Sequence, residues 1–504
     1  FKQKTAYEML RSLVGSEMCI RDRARRNIKR GLEEPPYAFI VSLEEQHDIL
    51  AALKMLENFL KMDVKIHVAK KPFKVGVKLY PKGTYVIFTT QPYRALVKYM
   101  LEKTIYPDNE WTRKRDGTPM KPYDTATFTV PDYLGVKVDQ IDEPFSGDFK
   151  KIVDVEYPKY TVGSSEFGYL VSCVTNGSYA LVNELLNLNY TVHRILKDIA
   201  VESESYPMGS FYIPYQEDVQ KIMQTLSDKY HVAVHTLKSE LKAPSKEIKR
   251  LRVGVYQRYY GGNTDEGWTR WILEQYNFLY KTIKDEDIQS GKLSEEIDLL
   301  ILPDDYPALI VGEKKEDIEK ALSERWKRPV VLPPIPPEYM SGIKKEGTEK
   351  LKEFVEHGGI LLTFNKSCEF AIKTFKLPIF DASKKLDPKT FFCPSTILNV
   401  NVDKYHPLCY GMPKKSQVMY HDSMILQVIP GFNNDYYQTP ITYPETDIMK
   451  SGWLIGEKYL SRKPALIEAK QGDGKVILYG FRPQFRAQTL VTFKTIFNAI
   501  LRTA

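Results

Sequence analysis

Residues 252–276 constrain the fold of this chain more tightly than any other stretch. Arg252-Val253-Gly254-Val255-Tyr256-Gln257 has the composition of a buried strand, Gly261-Gly262 follows as a turn, and an amphipathic segment begins at Asn263. Asn263 is a suitable helix cap, with Glu266 placed three residues on to reach back to it. Asp265 and Glu266 also suit the positive end of a helix. Trp268, Trp271, Ile272, Tyr276 and Leu279 form the expected buried stripe. A strand, a glycine turn and a helix open a βαβ unit, which calls for a parallel sheet covered on both faces. Ile297-Asp298-Leu299-Leu300-Ile301-Leu302 is the nearly unbroken apolar strand that such a sheet requires. A helix over 344–356, the turn Gly358-Gly359, a strand at 360–364 and a helix over 367–375 continue the alternation. A β-rich section at 396–469, a hairpin at Gly472-Asp473-Gly474, a strand at 475–480 and a helix over 488–502 complete it. Residues 251–504 therefore read as one flavodoxin-like, doubly wound α/β domain.

The first half carries a repeated order. A strand at 37–42, a helix over 44–62, a strand at 63–68 and the turn Tyr80-Pro81-Lys82-Gly83 before a strand at 85–88 form one set. A strand at 167–172, a helix over 178–187, a strand at 190–194 and the turn Tyr206-Pro207-Met208-Gly209 before Phe211 form another. The turns lie 126 positions apart, which points to duplicated βαβ modules over 24–150 and 151–237. Residues 107–150 read as an extended connection, and the charged run 238–250 as a linker. The chain is thus expected to be a multidomain α/β protein.

Charge and composition exclude several function classes. The net charge is +8, but residues 1–23 contribute +2 and residues 24–30 another +4, which leaves +2 for the rest. That body lacks the concentrated basic face of a nucleic-acid binder. Five widely spaced cysteines form no CxxC pair, so neither a disulfide framework nor a zinc knuckle is expected. No apolar run reaches the roughly 18 residues of a membrane span, and Met9–Val14 is too short and interrupted for a secretory signal. The run Ser12-Leu13-Val14-Gly15-Ser16-Glu17-Met18-Cys19-Ile20-Arg21-Asp22-Arg23 resembles translated sequencing-adapter read-through, so residues 1–23 are expected to be an artefact.

Chemistry is sparse. His231 and His235 are expected to share one face of a strand, but no third ligand stands near them. None of the eight histidines begins an H-x-x-E or H-E-x-x-H pattern, so no metal ligand is assigned. Cys368 falls just after a strand, where an elbow nucleophile belongs, but its flanks Lys366-Ser367 and Glu369-Phe370 lack the small residues of that turn. The remaining candidates lie at the ends of strands in the doubly wound sheet. They are Tyr256, Asp265 and Glu266 after the first strand, and Arg482 and Arg486 after the last. The two arginines suit a bidentate carboxylate clamp or a structural pairing with Asp265 and Glu266, the favoured of the two.

The segments Arg252–Gln257, Asp265-Glu266-Gly267-Trp268-Thr269-Arg270-Trp271 and Gly480-Phe481-Arg482-Pro483-Gln484-Phe485-Arg486-Ala487-Gln488-Thr489 resemble the C-terminal region of zinc carboxypeptidase-type (carboxypeptidase A-like) bacterial metallopeptidases. Gln46-His47-Asp48 and Gln91-Pro92-Tyr93-Arg94 resemble the part just after the peptidase domain in such proteins. The resemblance implies α/β modules followed by a class I glutamine amidotransferase-like domain, over about residues 30–504. It implies zinc and proteolysis in an upstream domain, that domain as a partner, a peptide as a further partner, and an exported or periplasmic setting. The family's H-x-x-E ligands have no match here, so the expectation is a non-catalytic accessory region with no cofactor of its own. The alternatives are an amidotransferase-like cysteine hydrolase using Cys368, and a ligand-binding module.

Overall fold

The computed structural model describes residues 6–259, 262–312, 314–326, 328–334, 336, 342–431 and 436–503. Residues 1–5 of the expected artefact and Gly261 of the expected glycine turn lie outside them. The chain divides into two compact units, Phe1–Thr104 with Phe128–Tyr157, and Ile105–Thr127 with Pro158–Ala504.

The first unit begins with helix α1 (Ala6–Glu33). Strand β1 (Ala38–Val41) leads to helix α2 (Ile49–Lys61), and strands β2 (His67–Ala69) and β3 (Tyr85–Phe88) follow. Asp48 starts α2, its carboxylate accepting from the Leu50 and Ala51 amides, so the helix begins later than the apolar spacing predicts. Strands β4 (Asp139–Ile141) and β5 (Phe149–Lys151) flank the set, giving a sheet of order β4-β1-β3-β2-β5 with every neighbouring pair antiparallel. The helix-linked strands β1 and β2 therefore run parallel with β3 inserted between them, a split βαβ arrangement rather than adjacent parallel strands.

The second unit opens with the same topology. Strand β6 (Tyr169–Val171), helix α3 (Asn176–Asn187), strand β7 (His193–Ile195) and strand β8 (Phe211–Ile213) repeat the order. Helix α4 (Val219–Tyr230), strand β9 (Val234–Thr236) and strand β10 (Ser245–Arg250) complete it. The sheet runs β9-β6-β8-β7-β10, element for element the order of the first. The turn before β3 and that before β8 also share their geometry. Gly83 has φ of 89° and Gly209 has φ of 90°, and their amides donate to the Ala69 and Ile195 carbonyls at 2.9 and 2.8 Å. Glycine is required at this left-handed position; at Gly209 an added Cβ would also lie 2.3 Å from the Tyr410 ring.

The chain diverges from the sequence reading at three places here. Residues 245–250 of the expected linker form β10, paired on one side with β7 and on the other with a strand near residue 502, so that part is sheet rather than linker. Their alternating charges misled because only Ile248 of that strand is buried. Residues 107–150 are not one connection: 105–127 belong to the second unit, and 128–150 hold β4 and β5 in the first. His231 lies outside β9, closing α4 in a left-handed conformation, so it does not share a strand face with His235.

The largest sheet combines a parallel core with an antiparallel extension. Its strands are β11 (Val253–Tyr256), β12 (Tyr280–Ile283), β13 (Leu299–Leu302), β14 (Ile360–Phe364), β15 (Thr396–Val402), β16 (Lys415–Tyr420), β17 (Tyr437–Thr442), β18 (Pro464–Gln471) and β19 (Gly474–Tyr479). They are ordered β12-β11-β13-β14-β19-β18-β17-β15-β16, parallel from β12 to β19 and antiparallel beyond, with Met449–Ser451 also paired to β15. Strands β11, β13 and β14 are buried throughout, as expected where helices cover both faces. Helices α5 (Thr264–Gln275), α6 (Lys344–Glu356) and α7 (Ser367–Thr374) connect the parallel strands. The α5 stripe is rotated from the one expected. Its buried positions are Asp265, Glu266, Thr269, Ile272 and Leu273, whereas Trp268, Trp271 and Leu279 are exposed. Trp271 faces outward, because the inward face of α5 carries Asp265 and Thr269, which bond to Arg482 and Gln484.

Helix α8 (Phe493–Ile500) ends the layer, and strand β20 (Leu501–Thr503), where the sequence suggests continued helix, pairs with β10. Arg502 in β20 reaches buried Glu468 in β18 at 2.6 Å, and Lys475 bonds the same carboxylate. Burial raises the Glu468 pKa, but Arg502 and Lys475 outweigh it and hold the group below its usual value. A depressed carboxylate adds stability above its unfolded value of about 4.3, and that stability is lost as pH falls through the folded value. The melting midpoint of Glu468→Gln is therefore expected to vary less with pH between about 3 and 5 than that of the parent chain. Equal slopes in a thermal scan would contradict this.

Candidate functional site

The carboxyl ends of the parallel strands meet the loops of the antiparallel extension around a cavity of about 290 Å³. Each element sends a residue to it. Thr264, Asp265 and Trp268 come from the start of α5, Asp304 and Tyr306 from the loop after β13, and Lys366 from the corner after β14. His421 and Asp422 follow β16, while Arg482, Phe485 and Arg486 follow β19. Strand order reverses between β11 and β13, where open α/β sheets form their binding crevice.

Arg482 organises the floor. It bonds Asp265 at 2.9 Å and Asp304 at 2.5 Å, and donates to the His421 carbonyl at 3.0 Å. Its side chain is largely buried, and so are both carboxylates. Burial pulls the guanidinium pKa down, but Asp265, Asp304 and Asp422 more than reverse this and hold it charged. Asp304 also accepts from the Lys366 amide at 2.9 Å. Asn263 caps α5 by accepting from the Asp265 amide at 3.0 Å, which sets the Asp265 side chain over Arg482.

The wall is built around His421. Its Nδ1 lies 2.5 Å from the Ser395 hydroxyl, and its Nε2 lies 4.0 Å from Asp422. Burial, followed by Arg482, pushes its pKa down to about 3, so the ring is neutral at physiological pH. Asp422 is held below the usual carboxylate value: desolvation of its inner side opposes this and the Lys121 ammonium overcomes it, while half of the side chain stays open to solvent. Lys121 reaches both Asp422 oxygens at 2.7 Å. Arg486 makes a fork to Asp124, at 2.9 and 2.5 Å.

The candidates named from sequence separate into two groups. Asp265, Arg482 and Arg486 line the cavity together. Arg482 takes Asp265, but Arg486 takes Asp124 instead of an acid in α5. Glu266 is buried under Arg270, at 2.5 Å, and also accepts from Gln257; it is not among the lining residues, and it does not reach back to Asn263. Tyr256 is buried, donating to Asp285 at 2.6 Å. Cys368 is fully buried in the first turn of α7, bonded to Thr363 and Tyr479 carbonyls, and burial pushes its thiol up to about 12. The strand–helix corner itself belongs to Asn365, at φ of 52°, whose amide donates to the His421 carbonyl at 3.0 Å.

Asp304, Lys366 and Asp422 escaped the sequence reading. Asp304 was detectable as the polar stop to an apolar strand, the position that reaches a crevice. Asp422 and Lys121 carry no such mark, because the chain joins them across 301 positions. Among the described residues no group of three His, Cys, Asp or Glu side chains is placed to hold a metal ion, and no helix is long and apolar enough to cross a membrane.

No protein-family model matches the chain, and no curated protein does. Among solved structures it is similar to a cytoplasmic protein from Salmonella typhimurium, at 12% identity over 50% of this chain and 100% of that one, TM-score 0.29. It is also similar to a protein described as ThuA-like from Bacteroides uniformis, at 12% identity over 52% and 94%, TM-score 0.28. A third, from Thermoplasma acidophilum, is described as part of a GMP synthase, at 13% identity over 50% and 96%, TM-score 0.29. None of the three is described as a carboxypeptidase. Similarity at this level carries no statement about activity, and the sheets themselves support the plain description: a multidomain α/β protein.

Proposed function

We propose that this chain is a non-catalytic accessory region whose doubly wound domain binds a small ligand in the charged cavity. The observation that carries the reading is the corner after β14. A hydrolase of this layout presents its nucleophile there, on a strained strand-to-helix turn. Here the left-handed position is held by Asn365, and the nearest thiol, Cys368, is turned into the core with its pKa raised. A thiol must ionise to attack, so Cys368 is a poor nucleophile in this setting.

The larger setting of the proposal rests on the family-like segments at 252–257, 265–271 and 480–489. It makes this chain the accessory part of an exported zinc carboxypeptidase-type protein, with an amidotransferase-like terminal domain and the zinc held by a separate catalytic domain. Two measurements test it. The chain is expected to release no C-terminal residue from a peptide with or without added zinc; zinc-dependent trimming would refute it. Iodoacetamide is expected to modify Cys19, which is exposed, and to leave Cys173, Cys368, Cys393 and Cys409 intact until the protein is denatured. Rapid native labelling of Cys368 would restore the cysteine-hydrolase reading.

A further inference from the structure

Residues 105–127 form a strap that crosses the rim of the cavity within the second unit. One end is fixed: the Tyr106 amide donates to the Gly452 carbonyl at 2.8 Å, and its ring stacks on Trp453 at 5.1 Å. The other end is fixed by the Ala126 amide on the Ser395 carbonyl at 3.2 Å and by Thr127 on Ser451 at 3.0 Å. Between them the strap folds back on itself, the Lys114 and Met120 amides donating to the Thr118 and Thr112 carbonyls at 2.8 Å, with Trp111 and Tyr123 exposed. It touches the cavity through two ion pairs three residues apart, the Lys121 ammonium on Asp422 and the Asp124 carboxylate on Arg486.

We infer that the strap is an internal stand-in for the ligand, and that the cavity takes a small zwitterion of amino-acid or dipeptide size. The inference rests on the binding reading above. Lys121 presents an ammonium to both oxygens of Asp422, and Asp124 presents a carboxylate to the fork of Arg486. These are the two charged ends of an amino acid or short peptide, each already in the pairing that would recognise it. Arg482 is not available for this, being shared between two buried aspartates. Trp268, Tyr306 and Phe485 supply an apolar lining for a side chain. A volume of about 290 Å³ is at the lower end for ligand pockets, which restricts the occupant to something small. Both latch pairs are solvent-exposed at 36–52%, and pairs of that kind are weak and screened by salt. A ligand with both charges can therefore displace the strap by exchanging like for like.

The test uses the full chain, with glycyl-phenylalanine as the probe, titrated calorimetrically at low salt. Opening the latch with Lys121→Ala and Asp124→Ala together is expected to tighten binding roughly 2- to 30-fold, the combined worth of two exposed pairs. Arg486→Met and Asp422→Asn are each expected to weaken it about tenfold or more. 3-Phenylpropionate and phenethylamine, which carry one charge each, are expected to bind at least tenfold more weakly than the dipeptide. Hydrogen exchange over 105–127 should rise in the opened variant and in the liganded parent chain, which reports the strap directly. No binding by the opened variant, or equal affinity in all variants, overturns the inference. If the opened variant binds an uncharged monosaccharide in the cavity instead, the zwitterion assignment fails while the binding reading stands. Hydrolysis of the probe would bring down the binding reading itself.

Discussion

Arg194→Ala is expected to destabilise the second unit by about 3–5 kcal/mol, through lost charged hydrogen bonds and ring contacts and a remaining cavity. Arg194 in β7 is 1% exposed. Its guanidinium donates to the Gly209 carbonyl and the Asn498 side-chain oxygen, at 2.5 and 2.8 Å. It also lies 4.2 Å from the Phe211 ring centre, with Tyr179 and Tyr410 beyond. None of these partners is a counter-charge, so carbonyl dipoles and ring faces do the solvation. The cation-π contribution reaches about 2 kcal/mol when desolvated, and each charge-assisted bond about 1.5–3 kcal/mol. Against these stands the cost of desolvating the cation, several kcal/mol, which alanine recovers while leaving a cavity. Arg194→Met fills most of that space and is expected to cost less, about 1–3 kcal/mol, chiefly for acceptors left short of a partner. The midpoint of a urea titration reads both variants, and an alanine variant within 1 kcal/mol of the parent would contradict this account.

Arg482→Met should behave differently, because charge and not volume is at stake there. Removing the guanidinium leaves Asp265 and Asp304 buried without compensation, at an expected cost of about 3–5 kcal/mol whichever apolar residue replaces it. The penalty should shrink as pH falls below 7, because burial without a counter-charge favours the protonated form of the orphaned groups. Adding Asp304→Asn to Arg482→Met should recover part of the loss, since the two sites are in direct contact and cannot be additive. Denaturant titrations at pH 7 and pH 5 would check all three outcomes. A cost under 1 kcal/mol at pH 7, or one unchanged at pH 5, would mean the aspartates are hydrated and the arginine dispensable.

The elements legible in the sequence were those marked by local chemistry. Asn263 does cap α5, the apolar runs at 299–302 and 360–364 are buried strands, and the Tyr-Pro-x-Gly turns share one backbone geometry. What stayed hidden was decided by distant parts of the chain. Strand β10 has the charge pattern of a linker and becomes sheet only because β7 and β20 lie beside it. Arg486 could be assigned a carboxylate but not the right one, since Asp124 lies 362 positions earlier. The α5 stripe was misplaced because large aromatic residues outweigh Thr269 and Asp265 in any apolar pattern, although the latter face inward to Gln484 and Arg482. Polar inward faces are characteristic of sites, where local and global preferences diverge.

Strand β20 carries one further consequence. Ile248 pairs with Thr503, so the outer edge of the second split sheet is closed by a strand that follows the whole doubly wound layer in the chain. A connection of that length adds modest closure entropy but places the contact among the slowest to form. Until then β10 presents an unpaired edge carrying Lys246, Glu247, Lys249 and Arg250, a charged composition that resists pairing with other chains. The charges that made this strand look like a tether thus protect it while it waits for its neighbour.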